Sequence, residues 1–236
     1  MKKLSIIATI KDGVAIALVN YLSLVAAAAL YLLTLWIPYL NVGTTIAMAS
    51  LPAEMAKGNV VNPLFIFKGE YRKNMGEFFI LMSLMYGAIG VGFLFMGIPG
   101  MVLSVAWSFA AVLFVDKGMN ALEALRESNR LTYGNKWRIF GAEALLAVAI
   151  GVAVSIISAI FSIGHVGALE TIGTIINIIL IVFAIPAIYG VEASIYRQLT
   201  SGDFLEAPHP EYVEVPEAPA AETPAPEAPA TPEAEK

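Results

Sequence analysis

No charged residue occurs from position 13 to position 53, an apolar run twice as long as the roughly 20 residues that one bilayer crossing needs. Pro38 divides it, because proline lacks an amide proton and its fixed φ ends or kinks a helix. The pattern therefore predicts a first span over 13–37 and a second apolar helix over 41–56. At 1.5 Å per residue the second is about 24 Å long, short against a hydrocarbon core of about 30 Å, and is expected to cross at reduced thickness or to re-enter. Further apolar stretches predict spans over 75–96, 99–115, 137–162 and 169–196. Gly97-Ile98-Pro99-Gly100 joins the third and fourth as a tight turn, with Pro99 suited to the first turn of the following helix.

Between the fourth and fifth spans the period changes. Ala121, Leu122 and Leu125 fall on one side of a helix, with Glu123, Arg126, Glu127 and Arg130 on the other. Asn120 is placed to cap this helix and Gly134 to stop it. It reads as an amphipathic helix lying on the membrane surface. Residues 63–74, where Phe65, Ile66 and Phe67 stand beside Lys68, Arg72 and Lys73, form a second segment of that kind.

Composition sharpens this picture. The chain of 236 residues is 58% hydrophobic and 14% charged, against roughly 25% charged in soluble domains. The expected fold is an all-α polytopic membrane bundle of about six membrane helices, occupying residues 1–205. Residues 206–236 carry eight glutamates, one lysine and eight of the 13 prolines, a composition that buries too little apolar surface to offset its ordering entropy. They read as a disordered, acidic cytoplasmic tail. Every lysine and arginine before it falls at the termini or in the turns after the second, fourth and sixth spans. By the positive-inside rule both termini are cytoplasmic. Lys2-Lys3 followed by apolar residues resembles a secretory signal, but Lys11 and Asp12 interrupt it and the next apolar stretch exceeds a signal core, so the segment is expected to be retained.

Candidate chemistry is sparse. The chain has no cysteine and only two histidines, His165 and His209, so no metal site, no cofactor and no enzymatic activity are expected. Three glutamates lie just inside span ends, Glu77, Glu143 and Glu192, at a shallow cytoplasmic depth. Ionisable residues in spans are costly unless paired or hydrated. With Arg126, Arg130 and Arg138 they form a candidate polar vestibule, weighed against simple local ion pairs. Asn20, Asn177 and Trp107 are candidates for lining a path between helices. Small residues at Ala147, Gly151, Ser155 and Ala159, and at Gly87, Gly90 and Gly92, are expected at close helix contacts. Trp36, Tyr39 and Trp137 mark interfaces. The dispersed basic residues suit a bilayer with anionic headgroups, and a membrane-protein partner is a further expectation; nucleic acid is not.

The turn Gly97-Ile98-Pro99-Gly100, then Val115-Asp116, then the run from Glu123-Ala124-Leu125-Arg126-Glu127-Ser128 through Leu131-Thr132-Tyr133-Gly134-Asn135-Lys136-Trp137 resemble a broad family of bacterial multispan proteins. These are related to the membrane domain of glycerophosphoryl diester phosphodiesterases and are mostly of uncharacterised function. The resemblance implies a six-helix integral domain of a bacterial cytoplasmic (inner) membrane, with a cytoplasmic surface helix between the fourth and fifth spans. It does not imply phosphodiesterase activity, since the paired histidines and metal-binding acids of the catalytic barrel are not expected here. The leading functional expectation is a non-enzymatic protein of membrane or envelope homeostasis, or a membrane partner subunit. A small transporter or channel is the alternative, and a lipid-processing enzyme a weaker third.

Overall fold

The computed structural model describes residues 3–162 and 167–201. The expected disordered tail at 206–236 and the outer turn around His165 lie outside the described residues. Among those described the fold is all-helical, with nine α-helices and no strand. The first two are α1 (Ile6–Val19) and α2 (Tyr21–Thr34), followed by α3 (Pro38–Ala56) and α4 (Met75–Leu94). Then come α5 (Ile98–Ala106), α6 (Ala110–Lys117), α7 (Ala121–Thr132), α8 (Lys136–Ser162) and α9 (Gly167–Thr200).

Four stretches are long and apolar enough to cross a membrane: α4, α5 with α6, α8 and α9. A fifth is reached if α1 and α2 count as one. That last pair corrects the expected single span over 13–37, because the axes of α1 and α2 differ by 76°. Asn20 causes the break. Its side-chain amide group donates to the Ile16 carbonyl, satisfying the helix acceptor beside the kink, and its side-chain carbonyl accepts from the amide of Val61 at 2.9 Å, which ties the kink to a distant loop. Pro38 does not sit in a linker; it occupies the first turn of α3, where its missing amide proton costs nothing.

Two further expectations change. Residues 63–74 form two short 3-10 turns, Pro63–Phe67 and Gly69–Arg72, where a surface helix was predicted. Pro63 and Gly69 punctuate the segment, and Ile66 is fully buried beneath it. The fourth stretch is broken at Trp107–Phe109, between α5 and α6. At the break Ser128 of α7 donates to the Ala106 carbonyl at 2.9 Å and accepts from the Phe109 amide at 3.2 Å. Thr132 donates to the same carbonyl at 3.3 Å. So α7, although amphipathic, is pinned into the protein by hydroxyls on its apolar face.

The core lies at the charged end of the hairpins. Phe109, Leu113, Ile139, Ile195 and Leu199 pack with Leu4 in one cluster. Leu24, Leu51, Met55 and Ala193 form a second, and Phe78, Leu81, Phe114 and Ala124 a third. α1 runs antiparallel to the C-terminal part of α9 at very short range. A methyl group added at Gly190 would stand 2.3 Å from the Gly13 carbonyl oxygen, and one at Gly13 would stand 2.6 Å from Val191 Cα. The glycines picked out by spacing behave otherwise. Gly87, Gly90 and Gly151 have nothing within 4 Å of where a Cβ would be, whereas Gly92 touches Gly100 across the α4–α5 hairpin.

Away from this core, α8 and α9 pair with each other. The most apolar stretch of α8 has 0% of its residues buried and that of α9 11%. Asn177 donates to Ser158 at 2.8 Å and Phe161 covers Gly173, which fixes an antiparallel register.

Candidate functional site

The basic end of the helices carries two carboxylate hubs that sequence spacing did not single out. Asp116, at the end of α6, accepts from the Tyr196 hydroxyl of α9 at 2.7 Å and pairs with Lys57 at 2.5 Å. Lys57 also reaches Glu54 at 3.0 Å, and Asn59 closes on the same carboxylate at 2.8 Å. Three helices are thereby tied: α3 through Lys57, α6 through Asp116 and α9 through Tyr196. The Lys57 ammonium is held above its ordinary pKa of 10.5, first by its hydrogen bond to Asp116 and then by that to Glu54. Asp12 is the second hub. It accepts from Ser194 at 2.7 Å and pairs with Arg197, while Gln198 bridges Ser194 and Thr9 at 3.1 Å each. The only sequence signal for either hub was a carboxylate one helical turn or less from a predicted span end.

The six residues expected to converge are distributed over separate contacts. Glu77 accepts from the Ala121 amide at 2.9 Å and so complements the positive end of α7 from α4. Asn120 and Glu123 complete a reciprocal cap at that terminus. Arg130 pairs with Glu127 through two bonds of 2.7 Å on its own helix. Arg138 donates to the Leu4 carbonyl, and the Leu4 amide donates to Asn135 at 3.1 Å. Arg126 is exposed on the outer face of α7. Glu143 and Glu192 are the two members that meet. The α8–α9 register sets them opposite each other within Coulombic range, both partly buried, with no hydrogen bond or ion pair among the described residues.

Two clefts share Glu54, Glu70 and Tyr71. One, of about 340 Å³, reaches Lys57, Phe114 and Asp116; the other, of about 570 Å³, runs beneath Asn59, Asn62 and Lys68. Their ionisable groups are largely engaged in the ion pairs above, Lys68 with Glu70 included at 3.5 Å. A third groove, of about 350 Å³, is different in kind. Ile98, Met101, Val102 and Val105 of α5 line it with Trp137 and Phe140 of α8, and Lys136 is its one charged residue. Trp137 is 77% exposed and meets Phe140 edge to face at 6.2 Å. Lys136 is steadied by donation to Asn129 at 2.7 Å. Among the described residues no three histidine or carboxylate side chains are grouped as a metal site requires. His165 and His209 lie outside the described residues.

Comparison with protein-family models, with curated proteins and with solved structures found no match.

Proposed function

We propose that this is a multi-pass integral protein of a bacterial cytoplasmic membrane, with the charged layer and both termini on the cytoplasmic side. On this reading it acts without catalysis in membrane or envelope homeostasis, or as a subunit beside a membrane partner, and its working surface is the one facing lipid. The proposed kinship with membrane domains of the glycerophosphodiesterase type rests on residues 97–100, 115–116 and 123–137 alone.

The observation that carries this reading is the groove between α5 and α8. An apolar trough with an ammonium group and a tryptophan at its charged end matches a phospholipid, whose acyl chain is apolar and whose phosphate is anionic. Purification in mild detergent, with retained lipids and proteins identified by mass spectrometry, tests it. Retained anionic phospholipid that is lost in Val102→Trp, which fills the trough, is the expected result. Equal retention in that variant and in the parent protein would refute it.

A second reading, a small transporter or channel, draws on Glu143 and Glu192, which have no hydrogen bond or ion pair among the described residues. Asn20 does not add to it, since it holds the kink before α2; Asn177 donates to Ser158, and its side-chain carbonyl oxygen is buried without a partner among the described residues. Solute or ion flux into proteoliposomes that vanishes in Glu143→Gln would favour it over lipid binding.

A further inference from the structure

The α4–α5 hairpin carries an apolar tip. Leu94, Phe95, Met96 and Ile98 are 65–94% exposed, and the chain turns there through positive φ at Met96 and Gly97. By length alone the hairpin could cross a bilayer twice. Its attachments say otherwise.

α5 has nine residues between the turn and the break at Trp107–Phe109, about 13 Å, or roughly half a hydrocarbon core. Ser128 and Thr132 pin the C-terminal half of α7 to that break. α7 carries Glu123 and Arg126 exposed and Glu127 and Arg130 on its flank, and Lys136 and Arg138 follow within two turns. Were the turn at the far interface, the break would lie at mid-depth and draw this charged face into hydrocarbon. Each Lys or Arg there is costly unless paired or hydrated. Two further observations agree. Among the described residues of the α5–α6 arm no large apolar side chain between Val102 and Leu122 is exposed, so the apolar exposure of that arm ends at the break, while Phe79 and Ile80 of α4 stay exposed beside it. Ile98, next to the turn, also shares one groove with Lys136 and Trp137, which a crossing hairpin would hold about 30 Å apart.

From this geometry we infer that α4–α5 is a wedge inserted into the cytoplasmic leaflet only, with Met96 and Gly97 near the bilayer centre and leaflet acyl chains as its partner. The crossing is made by α8–α9, whose 27-residue α8 reaches about 40 Å. Charge segregation is the same for a dipping and a crossing hairpin, since both ends return to one side. The inference rests on membrane embedding, and the test separates the two.

Single cysteines at Met96→Cys, Ile98→Cys, Glu127→Cys and Ser162→Cys in the cysteine-free chain are treated with an impermeant maleimide in right-side-out and inside-out vesicles. Ser162→Cys should label from outside and Glu127→Cys from inside, with loss of labelling from both faces at 96 and 98. A nitroxide at 96 should then be relaxed more by oxygen than by a water-soluble nickel chelate, as a bilayer-centre site is. Outside labelling at 96 or 98 shows a full crossing and overturns the inference. Inside labelling there places the tip in water and overturns it too. Protection without the oxygen effect, together with disulfide formation between two Met96→Cys chains, gives the tip to a second copy and overturns it as well. Release of the whole protein by an alkaline carbonate wash would instead refute embedding itself. Agreement of 96 with 98 guards against one misfolded variant.

Discussion

Tyr196 donates a 2.7 Å hydrogen bond to Asp116, and through that carboxylate the last helix of the bundle is joined to Lys57 at the end of α3. Tyr196 is itself buried and stacks near Phe109 at 5.9 Å. Removing only its hydroxyl, in Tyr196→Phe, keeps the ring packing and leaves one oxygen of Asp116 short of a partner. A loss of roughly 1–3 kcal/mol is expected, as for a hydrogen bond to a charged group. Thermal unfolding in detergent of Tyr196→Phe, Asp116→Asn and the double variant should show a double effect smaller than the sum.

Lys57 adds a pH dependence of definite sign. Its pKa in the folded protein is raised above the ordinary 10.5, so the folded state holds this proton more tightly than the unfolded one. The stabilisation is fully present below 10.5 and is lost as pH rises through the higher folded value. Half exposure of Lys57 keeps the effect small. The melting temperature should therefore fall more steeply above pH 10.5 in the parent protein than in Lys57→Gln, and parallel curves would count against the Asp116 hub.

The hinge between α5 and α6 gives a third test. Ser128→Ala strips both a donor from the Ala106 carbonyl and an acceptor from the Phe109 amide at a fully buried site. A cost of about 1–3 kcal/mol is expected, because unmet buried backbone groups pay their desolvation in full. Ser104→Ala is the control. Its hydroxyl only donates to the Met101 carbonyl on an exposed face, and its melting temperature should hardly move.

What could be read from the chain was local. Pro99 in the first turn of α5, the Asn120 cap and the start of α8 near Lys136 each follow from neighbouring residues, and each stands in the structure, while the tight turn itself falls at Phe95–Gly97 and not over Gly97–Gly100. The Asn20 kink could not be read that way, since its partner is the amide of Val61, 41 residues distant. The vestibule failed to assemble as one site for a related reason. Depth along a span follows from residue count, but azimuth about the helix axis does not, so Glu77 turns to α7 and Arg138 to Leu4 while Glu143 meets Glu192. Arg130 with Glu127 was the local pairing that an i, i+3 spacing always offers. The small-residue stripes were legible only in part: Gly92 closes on Gly100 across the α4–α5 hairpin, while Gly87, Gly90 and Gly151 face open space. The close pair between α1 and α9, Gly13 with Gly190, shows no periodicity.

That contact yields a prediction of its own. Gly13→Ala and Gly190→Ala each place a methyl group against backbone, at 2.6 Å and 2.3 Å, where no side chain can yield. Each should cost roughly 1–3 kcal/mol, or more, as overpacking does. Gly87→Ala and Gly151→Ala meet open space and should cost nothing measurable. Similar melting shifts for all four would show that α1 does not pack on α9 at this distance.

Glu143 and Glu192 separate the single vestibule from the paired arrangement most directly. Arg126 is exposed on α7 and Glu143 faces Glu192, so Glu143→Gln and Arg126→Gln should act independently. Their effects on melting temperature should add within about 0.5 kcal/mol, the tolerance for distant sites. Glu143→Gln and Glu192→Gln should not add. Each removes half of one repulsive pair and relieves the carboxylate left behind, so either variant alone is expected to stabilise the bundle and the second substitution to gain less than it does by itself. The sign matters as much as the coupling. Were either glutamate holding an arginine, neutralising it would strand a cation and lower the melting temperature. Stabilisation by both single variants with a sub-additive double variant is the expected pattern. Destabilisation restored by Arg126→Gln would return the site to the vestibule.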